Sequence, residues 1–104
     1  MQRGDIWWAN LPPPAGRRPV ALVSRDHAIR VRDAVTVAQV TTAIREIPTE
    51  VLLGVRDGLP KSCVINCDVL STVSKKLLTD RITHLTPMKI DQMDEALLFA
   101  LGLD

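Results

Sequence analysis

The chain has no tyrosine, one phenylalanine and two tryptophans, so aromatic residues make up only 3% of its 104 residues. A module that binds single-stranded RNA by stacking bases on a platform of rings needs two or three exposed aromatic side chains, and such a module is therefore not expected. The apolar residues, 46% of the chain, must instead form an aliphatic core. Such a core suffices for one modest unit, and we expect residues 1–104 to form a single domain.

Common catalytic and metal-binding patterns are also missing. The chain contains no glycine-rich phosphate loop, no zinc-type cysteine pair and no acidic cluster of the kind that holds Mg²⁺. His27 and His84 are the only histidines, and nothing in their spacing requires that they meet in one site. We expect no metal and no cofactor, so any phosphate chemistry would depend on arginine, hydroxyl groups and one carboxylate.

The two cysteines and the lack of long apolar runs limit where the protein acts. If Cys63 and Cys67 lie in one strand, their Cα atoms are about 13 Å apart, whereas a disulfide needs a separation below about 7 Å. We expect two buried thiols in a reducing compartment. No apolar run approaches the length of a membrane span, and no signal peptide is recognisable. The sequence thus predicts a cytoplasmic protein without membrane contact.

The net charge of +1 provides no overall attraction for nucleic acid, but the charges are unevenly distributed. Residues 1–45 contain seven cationic side chains, all arginine, against three acidic ones. Arginine is the side chain best shaped for bidentate contacts with phosphate. The alternative is an ordinary surface on which the two signs happen to segregate.

The apolar pattern predicts a β-rich α+β domain with five to seven short strands and a C-terminal helix. The predicted strands are residues 5–11, 20–24, 34–41, 48–53, 62–66 with 68–73 (one long strand, or two with a kink) and 81–85. Residues 25–33 fit a helical turn or a loop. Thr86 is a good N-cap and Pro87 suits the first position of a helix that ends near Gly102. Short strands joined by tight turns favour a small barrel or a strongly bent sheet.

Polar residues lie at the ends of two of these strands. Arg17-Arg18-Pro19 leads into the apolar strand at residue 20, and Thr41-Thr42 ends the strand that follows it. A fixed cation and two hydroxyl groups at strand ends suggest a site that binds and polarises phosphate.

In this order and spacing, the motifs resemble the MazF/PemK/Kid family of type II toxin endoribonucleases. The matching segments are Arg3-Gly4-Asp5-Ile6-Trp7, Gly16-Arg17-Arg18-Pro19-Val20, Val40-Thr41-Thr42, Pro48-Thr49-Glu50-Val51, Val64-Ile65-Asn66-Cys67-Asp68 and Leu78-Thr79-Asp80-Arg81-Ile82. The resemblance implies a small Src-homology-3-like barrel of the CcdB/Kid/PemK type that dimerises and holds RNA in a groove along the dimer interface. Family members cut single-stranded RNA at short sequences without a metal, leaving a 2′,3′-cyclic phosphate and a 5′-hydroxyl.

The resemblance also implies roles for individual residues. The arginine before the proline corresponds to Arg18, the threonine at the strand end to Thr41, and the functional aspartate of the Kid branch to Asp68. We expect Arg18 to stabilise negative charge, Thr41 to donate a hydrogen bond to phosphate and Asp68 to accept a proton. Three further residues are expected to position RNA: Arg17, Thr42 and Asn66. The alternatives are that Arg18 is a plain surface cation and that Asp68 satisfies buried backbone N–H groups.

Two departures from the family pattern leave other functions open. The first loop, residues 12–16, is shorter and stiffer than in many members, and Asn66 replaces an arginine of the Kid branch. A non-catalytic module that binds RNA or an antitoxin is one alternative. A DNA gyrase poison is another, although that branch has a tryptophan at the C-terminus and this chain ends in Asp104. The expected partner is a MazE-like antitoxin whose disordered, often acidic tail suits the arginine-rich half.

Overall fold

The computed structural model covers all 104 residues. The main elements are β1 (Asp5–Asn10), β2 (Arg17–Leu22), α1 (Asp26–Val31), β3 (Ala34–Thr41), β4 (Glu50–Leu53), β5 (Cys63–Ser74), β6 (Leu78–His84) and α2 (Pro87–Ala100). Single 3₁₀ turns precede β5 and β6, at Val55–Asp57 and Lys75–Leu77. The strands form one antiparallel sheet in the order β4-β5-β3-β2-β1-β6. This curled half-barrel with its C-terminal helix confirms the predicted β-rich α+β fold.

Several strand ends differ from the predicted ones. The second strand begins at Arg17 rather than at residue 20, because Asn10 and Ala9 of β1 pair with Arg17 and Arg18. The last strand likewise begins at Leu78 rather than at residue 81. In both cases, pairing with β1 extends the strand beyond its run of apolar residues. The region 62–73, for which a kink was one option, corresponds to one strand, Cys63–Ser74, whose register with β3 shifts.

Helix α2 covers one face of the sheet. It begins as predicted, since Thr86 accepts a hydrogen bond from the Lys89 N–H at 3.3 Å and Pro87 occupies the first turn. Its fully buried Met93 joins a core of 14 residues on the sheet face that α2 covers. A second core of eight residues lies on the opposite face, where Ile29 of α1 contributes. Thr41, at the end of β3, is partly exposed.

The two cysteines are buried and unpaired, as predicted. Burial raises the pKa of the Cys67 thiol to about 11, and the negative charge of Asp68 adds to this. Burial, with a contribution from the charge of Asp57, also raises the pKa of Cys63. Both side chains are therefore neutral thiols at pH 7 and pack as small apolar groups.

A buried carboxylate links β1 and β6 at one end of their ladder. Asp5 is 1% exposed and accepts hydrogen bonds from the indole of Trp7 at 3.1 Å, from the backbone N–H of Gln2 at 3.0 Å and from Nδ1 of His84 at 2.9 Å. Burial alone would raise the pKa of Asp5, but the hydrogen bonds from Trp7, His84 and Gln2 outweigh it and lower the pKa below 3.8. His84 is thus a structural partner of β1.

We expect Asp5→Asn to lower the free energy of unfolding at pH 7 by about 1–3 kcal/mol, because buried donors lose a charged acceptor. The pKa of Asp5 is lower in the folded than in the unfolded state. Its stabilising contribution is therefore complete above the ordinary pKa of 3.8 and is lost as the pH falls through the folded-state value. Urea unfolding of both proteins at pH 7 and pH 3 measures this. The exposed Asp91→Asn is the control, and an equal loss at both pH values would contradict the prediction.

Candidate functional site

Three of the predicted site residues share one face of the sheet. The β2–β3 ladder ends with Val20 opposite Gln39, and continuing this register by two residues along each strand brings Arg18 level with Thr41. Residues that oppose one another in an antiparallel pair project from the same face. Gln39 also pairs with Asn66 of β5, so Asn66 lies on that face as well. Arg18, Thr41 and Asn66 therefore belong to one surface.

The charge of Arg18 is not neutralised within the chain. Its side chain is half-buried, and Nε donates a hydrogen bond to the carbonyl oxygen of Ala15 at 3.1 Å. No carboxylate lies within ion-pair distance, and its two terminal nitrogens have no protein partner. One edge of the guanidinium is thus fixed by the β1–β2 loop, and the other N–H groups remain available to an anion.

The hydroxyl of Thr41 is oriented by the turn that follows β3. Its Oγ1 accepts a hydrogen bond from the Ala43 N–H at 3.2 Å, which leaves the hydroxyl hydrogen free to be donated. The loop beyond is held by Glu50, whose Oε1 accepts the backbone N–H groups of Arg45 at 2.9 Å and Glu46 at 3.0 Å. The hydroxyl of Thr41 is therefore a neutral hydrogen-bond donor on the same face of the sheet as the unpaired cation of Arg18.

Arg17 lies apart from Arg18, since neighbouring residues of a strand project from opposite faces. Its guanidinium stacks over the Trp8 ring at 5.0 Å and donates hydrogen bonds to Asn10 at 3.0 Å and Thr79 at 3.1 Å. Next to Trp8, beyond the end of the β2–β3 ladder, is a cavity of about 110 Å³. Thr41, Thr42 and Lys61 are among the residues that line it. Thr42 thus lines this cavity, and Arg17 stacks on Trp8, which also lines it.

Asp68 lies in an irregular part of β5. Residues 67–69 have no partner in β3, because Ala38 pairs with Leu70 whereas Gln39 pairs with Asn66. The Asp68 carboxylate accepts a hydrogen bond from Thr49 at 2.7 Å, and its N–H donates to Oδ1 of Asn66 at 3.0 Å. Thr41 pairs with Val64, four residues before Asp68 and roughly 13 Å away along a regular strand. Within one chain, Asp68 is therefore not brought next to Arg18 and Thr41.

Several residues around this site carried no signal in the sequence. Gln39 lies between Arg18, Thr41 and Asn66 only because of the strand register, and Trp8 and Lys61 meet at the cavity across distant segments. No three His, Cys, Asp or Glu side chains are grouped so that they could hold a metal ion. No helix is long and apolar enough to cross a membrane.

Comparison with known proteins decides the family. The model of the PemK-like, MazF-like toxins of type II toxin–antitoxin systems matches residues 2–101. The chain belongs to this family of toxins. The resemblance seen in the ordered motifs is thereby confirmed, and this MazF-like chain matches its relatives over nearly its whole length.

Two curated relatives are named as endoribonucleases. Endoribonuclease EndoA of Bacillus subtilis (strain 168) is 35% identical over an alignment of 111 residues. The alignment covers 99% of this MazF-like chain and 96% of the relative. Probable endoribonuclease MazF5 of Mycobacterium tuberculosis (strain ATCC 25618 / H37Rv) is 38% identical over 101 residues, with coverages of 95% and 91%.

Two solved structures also match the MazF-like fold of this chain closely. An endoribonuclease from a mycobacterial species, in complex with its cognate antitoxin, superposes with a TM-score of 0.90 at 33% identity. The match covers 100% of this chain and 97% of that one. The Mycobacterium tuberculosis toxin MazF-mt6 gives a TM-score of 0.88 at 31% identity, with coverages of 96% and 98%.

Proposed function

We propose that this MazF-like toxin is an endoribonuclease that cuts single-stranded RNA by attack of a ribose 2′-hydroxyl on the adjacent phosphorus. The observation that carries the proposal is that the neighbouring strands β2 and β3 present two unused donors at their ends: Arg18, whose terminal N–H groups are free, and Thr41, whose hydroxyl hydrogen is free. A cation and a neutral hydrogen-bond donor on one face of the sheet suit the two non-bridging oxygens of one phosphodiester.

The reaction forms a bond between the 2′-oxygen and phosphorus and breaks the bond from phosphorus to the 5′-oxygen. The 2′-hydroxyl loses its proton and the 5′-oxygen gains one, so the products are a 2′,3′-cyclic phosphate and a 5′-hydroxyl. In this proposal Arg18 stabilises the charge that accumulates on the phosphorane and donates to the leaving 5′-oxygen. Thr41 donates to a non-bridging oxygen, and removal of one such donor typically costs about 10²–10³ in rate.

The proton acceptor that we propose is Asp68. An arginine stays protonated in proteins and is therefore a poor base, whereas a carboxylate can accept the proton. Asp68 is exposed and lies in a strand irregularity, a feature that often redirects side chains next to active sites. The 2′-oxygen bonds to the phosphorus that Arg18 and Thr41 hold, so its proton acceptor must contact the same nucleotide. Because Asp68 lies beyond that pair within its own chain, we propose that it reaches the 2′-hydroxyl from the second copy in the homodimer proposed below. Arg17, Thr42 and Asn66 are proposed to position flanking nucleotides.

The proposal is tested by incubating the protein with a mixed pool of single-stranded RNA, with and without EDTA. We expect cleavage at defined short sequences and fragments with 5′-hydroxyl and cyclic phosphate ends. The cleavage rate should be the same in EDTA, because the proposed catalytic groups are all side chains. Cleavage that requires Mg²⁺, or fragments with 5′-phosphates, would contradict the mechanism. RNA that is bound but left intact would indicate the non-catalytic module instead, and RNA neither bound nor cut would be the result for a gyrase poison.

We also propose a homodimer that is held inactive by a MazE-like antitoxin with a disordered tail. Large apolar side chains at the end of the chain are 44–67% exposed and would be covered by a second copy: Leu98, Phe99, Leu101 and Leu103. An acidic tail would be attracted to the un-neutralised Arg18.

The single toxin domain, residues 1–104, is proposed to act in the cytoplasm, where its two neutral thiols stay reduced.

A further inference from the structure

Two carboxamide side chains face each other beside the proposed cleavage site. Gln39 of β3 and Asn66 of β5 are direct partners across the sheet. They lie on the same face as Arg18 and Thr41, two residues further along the strands. Two residues of a strand span about 7 Å, so the amide pair and the phosphate-binding pair form adjacent rows across the sheet.

The hydrogen-bonding capacity of this amide pair is largely unused. Gln39 is half-buried, and neither its amide oxygen nor its NH₂ group forms a hydrogen bond within the chain. Oδ1 of Asn66 accepts the Asp68 N–H, which uses one of its two acceptor sites, whereas the NH₂ group of Asn66 forms no hydrogen bond within the chain. The surface therefore offers the adjacent donor and acceptor of one glutamine, supplemented by the donor of the asparagine.

This pattern matches the edge of a nucleobase. A glutamine carboxamide binds adenine through one acceptor and one donor at neighbouring positions, and unstacked bases of single-stranded RNA expose such edges to proteins. A phosphodiester held by Arg18 and Thr41 would place the base of an adjoining nucleotide over the next row of the sheet. The half-buried position of Gln39 restricts its side-chain motion and favours a defined contact.

We propose that Gln39, supported by Asn66, is a specificity-determining residue that recognises one base next to the scissile phosphate, with adenine as the best match. This inference rests on the proposed endoribonuclease function and adds the chemistry by which a cleavage sequence is selected. Gln39 positions the RNA and takes no part in proton transfer.

The test compares wild type, Gln39→Leu and Gln39→Glu on a randomised RNA pool, with the 5′ ends of all fragments sequenced. We expect the wild type to prefer adenine at one position by about 5- to 150-fold over other bases. In Gln39→Leu this preference should fall to within about threefold, while the total cleavage rate at sites lacking that adenine is retained. Gln39→Glu keeps the side-chain shape but removes the donor NH₂, so it should also lose the preference. Gln92→Leu, the same change on the exposed face of α2, is the control and should keep the wild-type pattern.

The outcomes separate this inference from the function on which it rests. A wild-type protein that cuts no RNA contradicts the proposed function. A wild-type protein that cuts RNA, with variants that cut the same sequences at unchanged relative rates, overturns the role of Gln39. An equal loss of rate at every sequence also overturns it, because a structural defect would have that effect. Variants that keep the cleavage pattern but no longer bind the antitoxin would assign this face to the protein partner and likewise overturn the proposal.

Discussion

Arg18→Ala is expected to lower kcat/KM for RNA cleavage by about 10³–10⁵, the range found when an arginine that stabilises charge in phosphoryl transfer is removed. The physical reason is the unpaired state of its guanidinium, since no carboxylate of the chain competes with phosphate for its terminal N–H groups. Arg18→Lys should recover only part of the loss, because an ammonium cannot both bond to the Ala15 carbonyl and contact phosphate with a planar fork.

The measurement is initial cleavage rate on a fluorogenic RNA, with thermal unfolding recorded for each variant. Arg30→Ala provides the control, since Arg30 is an exposed arginine of α1 that forms no ion pair. It should cleave at nearly the wild-type rate. Full activity of Arg18→Ala would remove Arg18 from the mechanism, whereas a variant with a much lower unfolding temperature would have to be judged from Arg18→Lys.

A single 2′-deoxyribose at the scissile nucleotide should reduce cleavage at that bond below detection. The attacking oxygen is then absent, and no side chain near Arg18 and Thr41 is placed to replace it as a nucleophile. Every other susceptible bond in the same molecule should be cut at its normal rate, which provides an internal reference. The products are resolved by electrophoresis at single-nucleotide resolution.

The matched substrate has its 2′-deoxyribose one nucleotide further along, where only positioning contacts are lost. We expect at most a modest decrease in rate for that RNA. Hydrolysis of the bond that lacks its 2′-hydroxyl would mean that water is the nucleophile, and it would exclude the cyclic phosphate as a product. This experiment tests the chemistry independently of any protein variant.

Local patterns predicted the C-terminal helix well, and non-local pairing explains most of what they missed. The start of α2 at Thr86 and Pro87 depends on bonds within one turn, so it was visible in the sequence. The start of β2 at Arg17 depends on pairing with Asn10 across a loop. An apolar pattern has no information on such pairing, and it placed both arginines before the strand instead of on its two faces.

The site residues likewise divide into those that local patterns predicted and those that depend on strand pairing. Arg18 and Thr41 were identified from polar residues at strand ends and from family resemblance, and the register places them level with each other. The register shift at residues 67–69 moves Asp68 out of that row and makes Gln39 the partner of Asn66. The sequence offered a kink between residues 66 and 68 as one option, but which residues the shift pairs depends on how three strands pack together and could not be read from a local pattern.

The hydrogen bond from Arg18 to Ala15 has a consequence for inhibition. Because the Ala15 carbonyl fixes one edge of the guanidinium, the position of this cation depends on the conformation of the β1–β2 loop. A ligand that displaced the loop would also displace the guanidinium from the face that carries Thr41, and such a ligand would not have to compete with RNA for that face.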